Sequence, residues 1–187
     1  MATGFPKPVY AALTDVLSVA GASIRQGAHL PSLILVYSYM DAVGWLGSSD
    51  PNPHSDATAE TFCNWVERYL FPQRRLACSA PELYAARCGV LHTFTADSRM
   101  ARRGDARRVV YAWGPKKADE VQPYLDERYQ ADVVALHIDD LYDGLRLGTA
   151  QMFEDALHDL ELAQRMSMKA LGFFEFMSGP AAAGTSG

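Results

Sequence analysis

Cysteine, long apolar runs and phosphate-binding loops are scarce or missing in this chain of 187 residues. The three cysteines, Cys63, Cys78 and Cys88, are an odd number without paired spacing, which argues against a disulfide framework and a zinc knuckle. The most apolar stretch, 33–46, is short and contains Asp41, which argues against a membrane span. We find no glycine-rich phosphate loop and no internal repeat. The N-terminal region lacks the basic-then-apolar run of a signal peptide, so we expect a protein of the reducing cytoplasm.

The charges are unevenly distributed along the chain, although the net charge is only −5. Residues 99–117, which we call the basic strip, contain one acid, Asp105, whereas residues 119–161 are rich in aspartate and glutamate. The strip predicts salt-sensitive RNA binding through several arginines: Arg99, Arg102, Arg103, Arg107 and Arg108. The alternative is that the strip pairs with the acidic segment, within or between subunits.

Apolar residues at helical spacing predict helices over about 9–25, 31–45, 57–70, 79–94 and 138–176. The second of these is apolar on every side, which is typical of a central helix. We expect Asp56 to cap the third helix and Pro72 to end it. Ser79 and Glu82 have the spacing of a capping box at the start of the fourth helix.

The pattern changes in the middle of the chain. The runs 108–113 and 132–138 are rich in β-branched and aromatic residues and predict two strands, with a short helix within 115–129. The last helix is expected to break near Gly144 or Gly148. Its predicted apolar face consists of Phe153, Leu157, Leu160, Ala163 and Leu171.

These elements predict a mainly α fold, a bundle of about five helices with a small two-stranded β insertion. We assign residues 1–178 to a single helical domain, with the insertion at about 95–137. Residues 179–187 contain little to bury, and we expect a disordered tail.

Arg87 and His92 are the strongest candidates for chemistry. Arg87 lies within about 40° of Leu83 and Val90 on the apolar stripe of the fourth helix. A buried guanidinium without a partner costs several kcal/mol or more, so Arg87 must find one. His92 follows five residues later and has the side chain best suited to proton transfer near neutral pH.

The phrase Glu-Leu-Tyr-Ala-Ala-Arg-Cys-Gly-Val-Leu-His, at 82–92, resembles the HEPN superfamily (higher eukaryote and prokaryote nucleotide-binding domains). These are small helical bundles marked by an arginine, four to six residues, and a histidine. The resemblance covers roughly 9–94 and the last long helix. It implies a metal-independent endoribonuclease of the toxin or phage-defence kind, often a homodimer with both motifs in one cleft. RNA, a nucleotide and a cognate antitoxin are the implied partners, and no cofactor or metal is implied.

In the implied mechanism His92 deprotonates the ribose 2′-hydroxyl, and Arg87 stabilises the charge on phosphorus. Asp41, Cys88 and Tyr84 are candidate supporting residues. Arg87 and His92 are separated by about 140° around an ideal helix and by about 7.5 Å along it. A single straight helix is therefore not expected to place both residues on one phosphate, whereas two symmetry-related helices, or a break at Gly89, could bring Arg87 of one copy near His92 of the other.

A structural role for Arg87 is the main alternative. Asp41 is the only charged residue between positions 30 and 49, and a buried Asp41–Arg87 pair would join two helices. His92 would then mark the end of a helix, where a histidine is favourable. The chain would be a non-catalytic HEPN-like bundle that binds a nucleotide or a protein partner.

Two weaker groups complete the candidates. His137, Asp139, Asp140 and Asp143 could ligate a metal, although acids at a helix start are more often caps. Cys88 lies four residues before the histidine and could act as a thiol nucleophile or remain an inert, buried residue.

Overall fold

The computed structural model describes residues 7–52, 54–129 and 132–171. The helices are α1 (Lys7–Arg25), α2 (His29–Leu46), α3 (Ala59–Trp65), α4 (Phe71–Gln73), α5 (Ala80–Thr93), α6 (Arg99–Arg103), α7 (Ala118–Tyr129), α8 (Ile138–His158) and α9 (Leu160–Ala170). A π-helical turn, Val66–Leu70, joins α3 to α4, and the strands are β1 (Arg108–Ala112) and β2 (Val133–His137). The fold is mainly α with a small sheet, as predicted.

Helix α2 lies at the centre of the bundle. It packs against α1, α3, α5, α8 and α9. Its buried side chains lie on one half of the helix circumference and include Leu33, Val36, Tyr37, Met40, Val43 and Leu46, while the residues of the other half are mostly half-buried. The prediction of a central helix is confirmed. The hydroxyl groups of Tyr37 and Tyr111, 2.6 Å apart, link this helix to β1.

Helix α3 begins with a reciprocal capping box. The Thr58 hydroxyl accepts from the amide of Thr61 at 3.1 Å, and the Thr61 hydroxyl accepts from the amide of Thr58 at 2.9 Å. The predicted cap, Asp56, is therefore wrong, because Thr58 and Thr61 satisfy each other's free amides two residues later in the chain.

The helical path ends at Gln73, one residue after the predicted stop at Pro72. The π-helical turn explains this continuation. The amide of Phe71 bonds to the carbonyl of Val66, five residues back, and the widened turn gives the proline ring room that an ordinary α-helical turn denies it.

The last long helix breaks at Asp159. Its carboxylate accepts from the amide of Leu162 at 3.0 Å and caps α9. The expected break near Gly144 or Gly148 is wrong, because both residues lie inside α8. A Cβ atom at Gly148 would lie 2.7 Å from the Tyr69 carbonyl, so this glycine allows the π-helical turn to approach closely.

The break changes which side of the last helix faces the core. Leu162 and Met166 are buried, whereas Leu157, Leu160 and Leu171 are 81%, 68% and 85% exposed. The predicted apolar face is wrong at these three positions. Leu157 lies on the exposed side of α8, and Leu160 and Leu171 are exposed because α9 starts afresh after the cap instead of continuing the α8 phase. The predictions for 172–176 and for the tail 179–187 concern residues outside the described ranges.

The two strands are parallel, and α7 connects them. Arg108 is paired with Val133 and Ala112 with His137. Every residue of β2 is buried, because α7 and α8 both pack against it. The sheet contacts α5 through β1, which places the insertion beside the motif helix.

Candidate functional site

Helix α5 carries the Arg-x4-His motif and is fixed at both ends. The predicted capping box is confirmed: the Ser79 amide donates to the Glu82 carboxylate at 2.8 Å, and the Glu82 amide donates to the Ser79 hydroxyl at 3.4 Å. At the other end Phe94 is left-handed, with φ of 54°. The amide of Thr95 bonds to the Gly89 carbonyl at 3.2 Å, which turns the chain sharply back.

Arg87 is held by Asp41 from the central helix α2. Its Nη2 donates to Oδ2 at 2.6 Å, and its Nε donates to Oδ2 and Oδ1 at 2.8 and 3.1 Å. Both side chains are mostly buried, with 19% and 16% exposed. Burial acts to lower the pKa of Arg87, but the bonds to Asp41 and its charge outweigh this and raise the pKa. Arg87 is therefore a fixed cation.

The remaining edge of the guanidinium faces His92 of the same chain. Arg87 Nη1 lies 3.2 Å from His92 Nε2. The long arginine side chain spans the rise along the helix, so the two side chains meet within one chain. The need for a second copy to place both on one phosphate stays a prediction. A guanidinium donates hydrogen bonds and cannot accept them, so Nε2 is the acceptor in this contact.

Tyr84 and Cys88 surround the pair. The Tyr84 ring lies 5.8 Å from the Arg87 guanidinium carbon, and Cys88 Sγ lies 4.0 Å from Nη1. Burial, followed by the nearby Cys88, raises the pKa of Tyr84. The tyrosine therefore stays protonated at neutral pH and can donate a hydrogen bond.

A cleft of about 370 Å³ opens beside the pair, between α5 and the segment that includes α6. Its walls include Tyr84, Cys88, His92, Arg99 and Arg102. His92 is exposed, so the imidazole is accessible from this side. The structure thus brings His92 and part of the basic strip to one cleft, and Arg87 contacts this histidine without lining the cleft itself.

The strip arginines divide into two groups. Arg107 is committed to the fold: its Nε and Nη2 donate to the buried Glu82 at 2.6 and 3.0 Å. Arg108 lies over the Tyr129 ring at 5.3 Å.

The other three, Arg99, Arg102 and Arg103, belong to the short exposed helix α6. Arg102 forms an ion pair with Asp97 at 3.1 Å. Within the described ranges, no ion pair joins the strip to the acidic segment 119–161, because the strip's carboxylate partners are Asp97 and Glu82.

The acidic candidates cap and pair rather than converge. His137 caps α8, with Nδ1 accepting from the Asp139 amide at 3.3 Å and Nε2 lying 3.1 Å from the Gly114 carbonyl. Asp140 pairs with Arg74, and Asp143 lies 3.9 Å from Arg146. No group of three or more histidine, cysteine or acidic residues in the described part of the chain is placed to hold a metal ion.

The Glu82–Arg107 bridge and the turn after α5 were not predicted from the sequence. Glu82 was assigned only to the capping box, and nothing in the spacing links it to a residue 25 positions away. Ser98 offered a local signal: a serine before Arg99 is typical of a helix cap, and its hydroxyl accepts from the Ala101 amide at 3.1 Å.

Searches against protein-family models, curated proteins and solved structures find no match. Across the described ranges, no helix has the length and apolar character needed to cross a membrane.

Proposed function

We propose that this chain is a HEPN-like, metal-independent endoribonuclease of the toxin or phage-defence kind, acting in the cytoplasm through Arg87 and His92. One observation carries the proposal. A guanidinium fixed by Asp41 lies 3.2 Å from an accessible imidazole, and this imidazole lines a cleft together with Arg99 and Arg102. A cation and a base at one point are the groups that metal-free cleavage of RNA requires.

Each residue has a distinct role in this reaction. His92 takes the proton of the ribose 2′-hydroxyl, and the resulting oxygen attacks phosphorus. Arg87 stabilises the added negative charge through Nη1. Its N–H turns from the imidazole to the substrate phosphate, which frees the Nε2 lone pair to take the 2′-hydroxyl proton. The bond to the 5′ oxygen breaks, that oxygen is protonated by the imidazolium, and a 2′,3′-cyclic phosphate remains.

The exposed arginines of α6 supply the attraction for RNA in this proposal. Arg99, Arg102 and Arg103 are exposed on α6, and the one ion pair among them, Arg102 with Asp97, lies at the surface, whereas Arg107 is bonded to the buried Glu82 and Arg108 lies over Tyr129. We therefore assign the RNA contacts to the first three. Such contacts weaken with salt because bound counterions are released.

A second function is favoured by the strength of the Asp41–Arg87 pair. Three close contacts hold the guanidinium, and they bind two helices of the core together. In this alternative the chain is a non-catalytic HEPN-like bundle, often dimeric as the resemblance implies, that binds a nucleotide or a protein partner such as an antitoxin.

Incubation of the purified protein with single-stranded RNA in EDTA separates the two functions. The nuclease predicts cleavage to 2′,3′-cyclic phosphate ends and a fall of about 10²- to 10⁴-fold in His92→Ala with an unchanged melting temperature. His158→Ala, at the exposed end of α8, is the matched control and should cleave like the parent protein. Absence of cleavage by the parent protein would leave only the binding function.

A further inference from the structure

A second cleft, of about 570 Å³, lies away from the motif helix and shares no lining residue with the first. It is formed by the end of α2, the following loop, α3, the π-helical turn and α9. Its size is within the range of sites that hold small molecules. A π-helical turn in its wall is also notable, because such turns occur often at functional sites.

One side of this cleft is acidic. Asp50, Asp56 and Glu60 line it, near the start of α3. Asp50 accepts from the amide of Asn52 at 2.9 Å, and Asp56 and Glu60 are exposed. In the described part of the chain, none of the three forms an ion pair with an arginine or lysine of the cleft.

Arginines form another part of the wall. Arg68 lies 3.8 Å from Asp155, and Arg165 lies 3.7 Å from Glu161, and both distances exceed those of a hydrogen bond. The Nε of Arg165 is buried and has no hydrogen-bond partner among the described residues. The two guanidiniums therefore retain donors that their neighbours do not use.

A buried lysine adds positive charge behind this wall. Lys169 is fully buried, and its ammonium donates to the Trp45 carbonyl at 2.7 Å and to the Ser48 hydroxyl oxygen at 2.5 Å. Because Ser48 Oγ accepts from a cation, its own proton is polarised and free to donate. Ser48 lines the cleft, so this donor is available to a ligand there.

We propose that this cleft binds a small ammonium–carboxylate zwitterion, either a free amino acid or a short peptide. The ligand carboxylate is held by the guanidiniums of Arg68 and Arg165 and by the Ser48 hydroxyl. The ligand ammonium is held by Glu60 and Asp56. A zwitterion pairs with the arginines and with the carboxylates at once. A simple anion leaves the carboxylates without a partner, and a simple cation leaves the arginines without one.

Calorimetric titration of the full chain with the common amino acids and with simple dipeptides tests this proposal. For each ligand that binds, the matched probes are the carboxylic acid without its amino group and the amine without its carboxylate. Binding by amino acids, dipeptides or both identifies the source of the zwitterion. Each matched probe should bind at least about 10-fold more weakly, since a hydrogen bond to a charged group is lost.

The variants Glu60→Gln and Arg165→Gln should each weaken binding by about 10- to 100-fold. Arg165 is partly buried, so its replacement could alter the fold; Asp56→Asn, on an exposed side chain, provides a further variant that tests the site without this risk. Glu154→Gln, on the exposed side of α8, is the control and should bind normally. The proposal is overturned if no zwitterion binds at millimolar concentration. It is also overturned if the acid without an amino group binds equally well, or if Glu60→Gln and Asp56→Asn both leave affinity unchanged.

Discussion

The nitrogen atoms of Arg87 have different environments, and this difference allows one residue to stabilise the fold and to serve a site. Nε and Nη2 bond to Asp41, whereas Nη1 faces His92 and Cys88. The structural and catalytic interpretations are thus compatible in geometry. Holding two of the three nitrogens also fixes the third, which reduces the entropy lost when a phosphate binds.

The Asp41–Arg87 pair should contribute measurably to stability. Asp41→Asn and Arg87→Gln should each lower the free energy of unfolding by about 1–3 kcal/mol, because each leaves a mostly buried charge without its partner. The double variant should lose less than the sum of the two, since the pair is then absent as a whole. Urea unfolding of the four proteins measures this coupling. Additive losses would show that the two side chains do not interact.

Glu82 should make stability depend on pH in the acid range. Burial acts to raise the pKa of Glu82, but hydrogen bonds from Arg107 and Ser79 outweigh it, and the pKa lies below its ordinary value. Unfolded chains therefore bind this proton more readily than the folded protein. The stabilisation is present above the ordinary pKa of a glutamate and is lost as the pH falls through the lower, folded value.

The comparison of Glu82→Gln with the parent protein tests that sign. Between about pH 5 and pH 3 the urea midpoint of the parent should fall more steeply than that of Glu82→Gln. Glu127→Gln, on the exposed face of α7, should retain the steep fall. Parallel curves for the parent and Glu82→Gln would contradict the assignment.

Helices with a clear period or a local cap could be predicted from the sequence, whereas features set by distant contacts could not. Ser79 and Glu82 correctly predicted where α5 begins, because a capping box involves only residues close together in the sequence. The sequence predicted the break at Gly144 or Gly148 instead of Asp159, because glycine has a low helix propensity and lowers the stability of a helix interior. Here Gly148 is required by the approach of Tyr69, which no local pattern reveals.

The turn after α5 depends on Gly89 and determines whether α6 stands beside the motif. A Cβ atom at Gly89 would lie 2.4 Å from the Thr95 carbonyl oxygen. Gly89→Ala should therefore cost about 1–3 kcal/mol of stability and reduce RNA cleavage, since the cleft wall must move. Gly27 has a positive φ, but a Cβ atom added there would contact no other atom. Gly27→Ala should therefore lower stability and leave RNA cleavage unchanged. Thermal unfolding and cleavage assays separate the two, and a fully active, stable Gly89→Ala would contradict this role.

The long-range assembly of the site shows where prediction from sequence ended. Arg87, His92 and Asp41 were all identified, because a buried arginine needs a partner and Asp41 was the one carboxylate on the central helix. The contact between Arg87 and His92 within one chain was not predicted, since ideal backbone positions ignore the reach of an arginine side chain. The cleft beside α9 had no sequence signal at all, because its charges come from three separate elements and a loop.

The contact between Arg87 and His92 within one chain has a consequence for any dimer. If each site uses both residues of the same copy, mixing the inactive variants Arg87→Gln and His92→Ala cannot restore cleavage. If the site instead pairs Arg87 of one copy with His92 of another, the mixed dimer contains one intact site. Because Arg87 Nη1 and His92 Nε2 are 3.2 Å apart in a single chain, we expect no restoration.

Coexpression of the two variants with different affinity tags, followed by sequential purification, gives the mixed species directly. Its cleavage of single-stranded RNA should match the residual rate of the two variants, while coexpression of parent and His92→Ala should give about half the parent rate in the mixed dimer. The second sample controls for damage caused by the tags or by assembly. If the mixture of Arg87→Gln and His92→Ala instead recovers about half the parent rate, the site is shared between subunits. The Asp41–Arg87 pair would then hold the guanidinium in place for the His92 of a neighbouring copy.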